Sequence, residues 1–227
     1  MARYSNAPSN PENQKPFTQP LTMKNPSSYS PKTSADFIGP ASKLASVFTR
    51  KCENIAASGE PLKLLLYGNP GVGKTELANL VSALLTRHST EIETINGRKL
   101  NAETVKAWQN VLCYSPLCGG YNVKIVNEVD LVSTPNQDVL LQVLDDLTPF
   151  HAIICTSNLN LGQLEQRFQS RFQQFRVEAP QTSELSQFLT RIAGLPAKIA
   201  DRIAVGSGGN IRAALLDAQS AVDFNAA

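Results

Sequence analysis

Residues 68–75 read Gly-Asn-Pro-Gly-Val-Gly-Lys-Thr, and no other stretch restricts the fold as much. Ahead of them lies a short apolar run, 62–67, bounded by Pro61 and Gly68. Behind them Leu77, Leu80, Val81, Leu84 and Leu85 recur at helical spacing. The run predicts a buried strand and the recurrence a helix, so the glycine-rich octet is the turn that joins them. Its glycines permit backbone angles that a β-carbon forbids. Consecutive N–H groups can then face one point, and the helix starting near Lys74 adds its positive end. A phosphate chain is the ligand such a turn fits. Gly68, Asn69, Pro70, Gly71, Val72 and Gly73 form the cradle, Lys74 supplies a cation for the β- and γ-phosphates, and Thr75 offers a hydroxyl to magnesium. A glycine turn without a ligand has no use for a lysine at the helix start.

The alternation continues along the chain. Segments 91–95, 123–126, 152–156 and 175–177 read as further strands; 104–112, 136–147 and 161–172 read as helices, with Pro135 fitting a first helical turn. An earlier helix is expected from Pro40 through Leu44, Val47, Phe48 and Ile55 to about Gly59. Strands alternating with helices predict an α/β fold with a parallel five-stranded sheet covered on both faces. After Pro180 only helices are predicted, at 184–192, 196–205 and 210–222, punctuated by Gly194 and by the glycine-rich stretch 206–209. The expected organisation is a tail at 1–35, an α/β nucleotide-binding domain at 36–179 and a small three-helix domain at 180–227.

Composition narrows the classes that remain. The net charge is +2 across 227 residues, so any nucleic-acid surface is a local patch rather than a bulk property. No apolar run approaches the roughly 18–20 residues of a membrane span, and the N-terminus lacks the apolar core of a signal peptide. Cys52, Cys113, Cys118 and Cys155 lack zinc-site spacing and read as reduced core or loop residues of a cytoplasmic protein, with a Cys113/Cys118 redox pair as the alternative. Residues 1–35 are rich in Pro, Ser, Asn, Gln and Thr, too poor in apolar groups to offset the entropy of ordering, and are expected to be mostly disordered. Their mild positive excess reads either as a solvated tail or as a nucleic-acid contact.

A second stretch, 124–131, reads Lys-Ile-Val-Asn-Glu-Val-Asp-Leu. It carries a strand into Asn127-Glu128, beside the phosphate turn in a parallel sheet. Taken with it, SPKTSADFIG (30–39), CTSN (155–158), RFQSRF (167–172) and GGNIRAAL (208–215) fall in an order that resembles AAA+ ATPases, and within them the DNA clamp-loader and replication-initiator branch. The resemblance covers roughly residues 30–222 and implies a catalytic ATP–Mg2+ site. In it Phe37 and Ile38 lie over the adenine, Glu128 polarises the attacking water, Asn158 bridges that water and the γ-phosphate, and Arg212 reaches the γ-phosphate from a helical lid. Arg167 and Arg171 share a helix face. Arg171, preceded by Ser170, matches the arginine finger given to a neighbouring subunit; Arg167 is then structural or a contact to DNA or that neighbour.

The resemblance is imperfect at Asn127, where the family usually carries Asp. An amide carbonyl still accepts a bond from a magnesium-bound water but brings no charge. ATP binding with slow hydrolysis is the expectation, and Asp130, two residues beyond Glu128, is a weak candidate to compensate. The chain ends before the helical collar into which clamp-loader subunits continue, so assembly runs through the ATPase modules, or a partner supplies the scaffold, or the sequence is a piece of a longer one. Two functions of different class remain: a homo- or hetero-oligomeric motor that remodels a DNA replication or recombination complex, and a nucleotide-gated assembly module with little turnover. Arg98, Lys99, Lys106 and Lys124 read either as a phosphate-tracking surface or as a solvated face. Localisation is expected to be cytoplasmic, or nuclear in a eukaryote.

Overall fold

The computed structural model describes residues 23, 25–116, 119–158 and 161–226. Five strands are β1 (Leu62–Gly68), β2 (Ile92–Asn96), β3 (Asn122–Asn127), β4 (His151–Asn158) and β5 (Gln173–Arg176). They form one parallel sheet in the order β2-β3-β4-β1-β5. Around it lie α1 (Gly39–Ser58), α2 (Lys74–Leu85), α3 (Ala102–Leu112), α4 (Thr134–Asp145) and the short α5 (Gln166–Gln169). Three helices, α6 (Thr182–Ala193), α7 (Ala197–Gly206) and α8 (Ile211–Ala226), follow the sheet, as the apolar spacing predicts.

The strands sort their side chains by twos. Leu64 and Leu66 of β1, Val123 and Ile125 of β3, and Ala152 and Ile154 of β4 face α1 and α2. Leu65, Val126, Ile153 and Cys155 face α3 and α4, where Val105, Trp108, Leu140 and Leu144 close the second layer. A separate apolar cluster, including Leu185, Phe188, Leu189, Ala200, Ala204, Ala214 and Ala218, knits α6, α7 and α8 into one small helical unit.

Four features differ from the sequence reading. Lys124 is not part of an outer basic surface: it is 5% exposed, its Nζ donates to Glu93 Oε2 at 2.8 Å and lies 5.9 Å from the Trp108 ring centroid. It sits on the α3 face of a central strand, so its charge needs Glu93 and the ring in place of water. Arg98, Lys99 and Lys106 are exposed. The region 161–172 is not one helix but a 3-10 turn at Leu161–Gln163 followed by α5. Strand β3 stops at Asn127, and Asp130 lies in a 3-10 turn, Val129–Leu131, so it does not share a strand face with Glu128.

Order also starts earlier than Asp36. Pro26–Ser28 and Ser34–Asp36 form 3-10 turns, Met23 N–H donates to Ile192 O at 2.6 Å, and the Tyr29 ring meets Phe188 edge-on with centroids 5.0 Å apart. The segment takes its apolar partners from α6, so composition alone underrates it. Residues 1–22 and 24 of the expected tail, and Cys118 of the candidate redox pair, lie outside the described residues.

Candidate nucleotide site

The C-terminal ends of β1, β3 and β4 open on one edge of the sheet, where ligands of such parallel sheets are held. Register sets the neighbours: Gly68 of β1 is level with Asn158 of β4. The turn 68–73 carries the chain from β1 into α2, whose first residue is Lys74. Gly71 and Gly73 take φ of 77° and 97°, the left-handed region that side chains resist.

Lys74 is buried under this turn. Its Nζ donates to Gly68 O (2.9 Å), Asn69 O (2.7 Å) and Asn158 Oδ1 (3.1 Å). Burial pushes the ammonium down to about 8; Arg212 adds to the fall, and Asp130 and Glu128 work against it. Asp130 also braces the tip of β4, where its Oδ1 accepts the Asn158 N–H at 3.1 Å.

The Thr75 hydroxyl points at Asn127 Oδ1 (3.5 Å), which also accepts from the Thr156 hydroxyl (3.1 Å). Glu128 follows in a left-handed conformation, φ 56° and ψ 52°. Its N–H donates to Thr156 Oγ1 (3.2 Å), and its Oε2 accepts from Asn96 Nδ2 (2.8 Å) at the end of β2. Thr156 and Asn96 escaped the sequence reading. Both are polar groups near the C-terminal ends of strands that flank Asn127, Asn96 being level with it, which is the signal that finds them once strand order is known.

A cavity of about 310 Å3 runs over these groups. One end is floored by residues 70–75 with Glu128, Thr156 and Asn158; the other is walled by Tyr29, Pro31, Phe37 and Ile38; Ile211, Arg212, Leu215 and Leu216 of α8 cover it. Gly68, Asn69 and Asn127 do not line it, but each bonds to a residue that does: Gly68 and Asn69 to Lys74, Asn127 to Thr75 and Thr156. The helical unit is latched to the turn: Ile211 N–H donates to Gly71 O at 2.9 Å, and Asn210, whose Oδ1 accepts the Ala213 N–H at 3.1 Å and so caps α8, fills the space a Gly71 side chain would need.

Arg171, unlike the other predicted site residues, neither lines this cavity nor bonds to a residue that does. Its Nε and Nη2 donate to Asp145 of α4 (2.7 and 3.3 Å), and it is exposed just after α5. Arg167 pairs beside it with Asp138 and Glu165.

A parallel sheet with a glycine turn on its central edge, a lysine at the next helix start and a helical lid above defines a P-loop nucleotide-binding module. The family model described as "ATPase family associated with various cellular activities (AAA)" matches residues 64–179, and the chain belongs to that family. Over 114 residues it is 32% identical to "Probable replication factor C subunit 3" of Dictyostelium discoideum, covering 47% of this chain and 32% of that protein. It is 27% identical over 135 residues to the "Holliday junction branch migration complex subunit RuvB" of Mycoplasmopsis pulmonis, covering 59% of this chain and 40% of that one. The chain thus spans less than half the length of either relative. Among solved structures, Thermotoga maritima RuvB, described as a Holliday junction branch migration motor, shares the fold at a TM-score of 0.65 and 24% identity over 82% of this chain and 62% of that one. A DNA polymerase III gamma subunit-related protein of the same organism aligns at a TM-score of 0.52 and 16% identity, covering 71% of this chain and 60% of that one. These similarities agree with the clamp-loader-like resemblance.

Proposed function

We propose that this AAA ATPase binds ATP with magnesium in the cavity, hydrolyses it slowly, and assembles head to tail to remodel a DNA replication or recombination complex. One observation carries the reading: a single cavity is lined at once by the phosphate turn, Glu128, Asn158 and Arg212, residues far apart in sequence. The triphosphate lies along residues 68–74 with Lys74 on its β- and γ-groups, and the base lies against Phe37 and Ile38. The Thr75 hydroxyl and the Asn127 carbonyl, both hard oxygen donors at the same spot, fit magnesium and its water shell. Magnesium held by these two oxygens would supply positive charge to offset that of the phosphates. Glu128 orients the attacking water, Asn158 holds the γ-phosphate side with Lys74, and Arg212 binds the γ-phosphate from the lid.

Arg171 is exposed and lies outside its own cavity, which suits donation to a second copy. A guanidinium supplied in this way contributes about 10³–10⁵ in rate. One observation favours the quieter reading, a nucleotide-gated assembly module: the Asn127 carbonyl already accepts from two hydroxyls, which limits what it offers the metal shell.

Calorimetry with ATP and magnesium, and turnover with and without single- and double-stranded DNA at two salt concentrations, test both. DNA stimulation that falls steeply with salt supports the motor. Tight binding without turnover under every condition supports the module, and absence of ATP binding by folded protein overturns both.

A further inference from the structure

One buried hydroxyl ties the ends of β3 and β4 together. Thr156 is 3% exposed. Its Oγ1 lies 3.2 Å from the Glu128 nitrogen and 3.1 Å from Asn127 Oδ1. A backbone N–H can only donate, so Thr156 accepts there and sends its own proton to the Asn127 carbonyl. The same carbonyl faces Thr75 at 3.5 Å, which orients the amide with its oxygen inward. Both partners of Thr156 belong to the pair on which hydrolysis depends.

Glu128 needs such support. A non-glycine residue at φ 56° is strained, and the conformation persists only where its surroundings over-determine it. Three bonds do so: the N–H to Thr156, the carboxylate to Asn96, and the carbonyl, which accepts the Leu131 N–H at 2.9 Å. The Asn96 bond fixes the end of the side chain; the Leu131 bond holds the carbonyl side of the turn, and the Thr156 bond holds its N–H side, from which the chain enters. With the hydroxyl removed, a part-buried N–H loses its acceptor beside a position that water hardly reaches, and the turn is free to relax toward an ordinary conformation.

We propose that Thr156 is a positioning residue for hydrolysis: its hydroxyl pins the left-handed turn that aims Glu128 into the cavity and turns the Asn127 carbonyl toward Thr75. The proposal rests on the ATP-hydrolysis reading above. Thr156 need not touch the nucleotide's reacting atoms to act, so it governs the rate of the chemical step and leaves ATP affinity alone.

Thr156→Val keeps the shape and removes the hydroxyl; Thr156→Ser keeps the hydroxyl. In Thr156→Val, amide exchange at Glu128 is expected to rise by about tenfold and kcat to fall by about tenfold, with the ATP dissociation constant within about twofold. Thr156→Ser stays close to the unchanged chain in all three. A Thr156→Val protein with unchanged exchange and kcat, or a Thr156→Ser protein as impaired as Thr156→Val, overturns the proposal. Thr156→Ala serves as the hydroxyl-free variant where valine does not fold. An unchanged chain that binds ATP without any turnover overturns the hydrolysis reading instead, and exchange at Glu128 then decides by itself whether Thr156 holds the turn.

Discussion

In the proposed site, Lys74 and Asn127 each act through a single group. In the folded chain burial holds Lys74 at about 8, against an ordinary 10.5. Between those values the unfolded chain binds more protons than the folded one, so this residue makes stability rise with pH across that window; below it, the cost of burying the ammonium is constant. A bound triphosphate favours the ammonium and reverses the preference. ATP affinity is therefore expected to weaken as pH climbs above about 8, with binding at about pH 9 taking up close to one proton. Calorimetry in two buffers of different ionisation enthalpy reads that uptake, and none at all counts against this role for Lys74. At Asn127, an aspartate keeps one oxygen for the Thr75 and Thr156 hydroxyls and frees a charged second oxygen for the metal shell. Half-saturating magnesium for Asn127→Asp is expected to fall about tenfold. A magnesium titration of turnover that leaves both midpoint and rate unmoved refutes this.

The elements are unequally legible. The phosphate turn declares itself because glycine, lysine and threonine stand at fixed offsets between a strand pattern and a helix pattern. Helices α6, α7 and α8 are visible as apolar stripes between glycines. What the linear pattern lacks is the identity of the neighbour. Lys124 reads as a surface cation because nothing in its own segment names Glu93 or Trp108, which reach it from β2 and α3. Residues 25–35 read as unsupported because their partner, Phe188, lies on α6. Thr156 and Asn96 gain meaning only from the order β2-β3-β4, which puts both beside Glu128. The latch between α8 and the phosphate turn is also a tertiary fact, and it makes a prediction. In Gly71→Ala a methyl group enters the space of Asn210, at a φ of 77° that alanine resists. The lid end of α8 should lift, seen as faster amide exchange at Ile211, and ATP should bind at least about tenfold more weakly. Unaltered exchange at Ile211 rules out the latch as the route.

For the whole molecule, the separation of Arg171 from its own cavity is decisive. Arg171→Ala is expected to bind ATP normally and to lose about 10³-fold or more in turnover. Lys74→Ala is expected to lose ATP binding but keep its arginine. Mixing the two pairs an intact cavity on one protein with an intact arginine on the other, so turnover should reappear in the mixture. A mixture as inactive as its components contradicts sharing between copies. In the same way, specific turnover of the unchanged chain should climb with protein concentration until assembly saturates.

The ion pair between Arg171 and Asp145 bears on how such an assembly ends. A head-to-tail row that does not close into a ring leaves one terminal copy with nobody to receive its guanidinium. Asp145 gives that idle cation a resting place on its own surface. Exposed pairs of this kind are weak and screened by salt, so an arriving triphosphate-loaded neighbour can displace this one. On the proposed function, growth from that tip would trade one carboxylate for a neighbour's γ-phosphate, and an occupied nucleotide pocket would become the signal for adding the next copy.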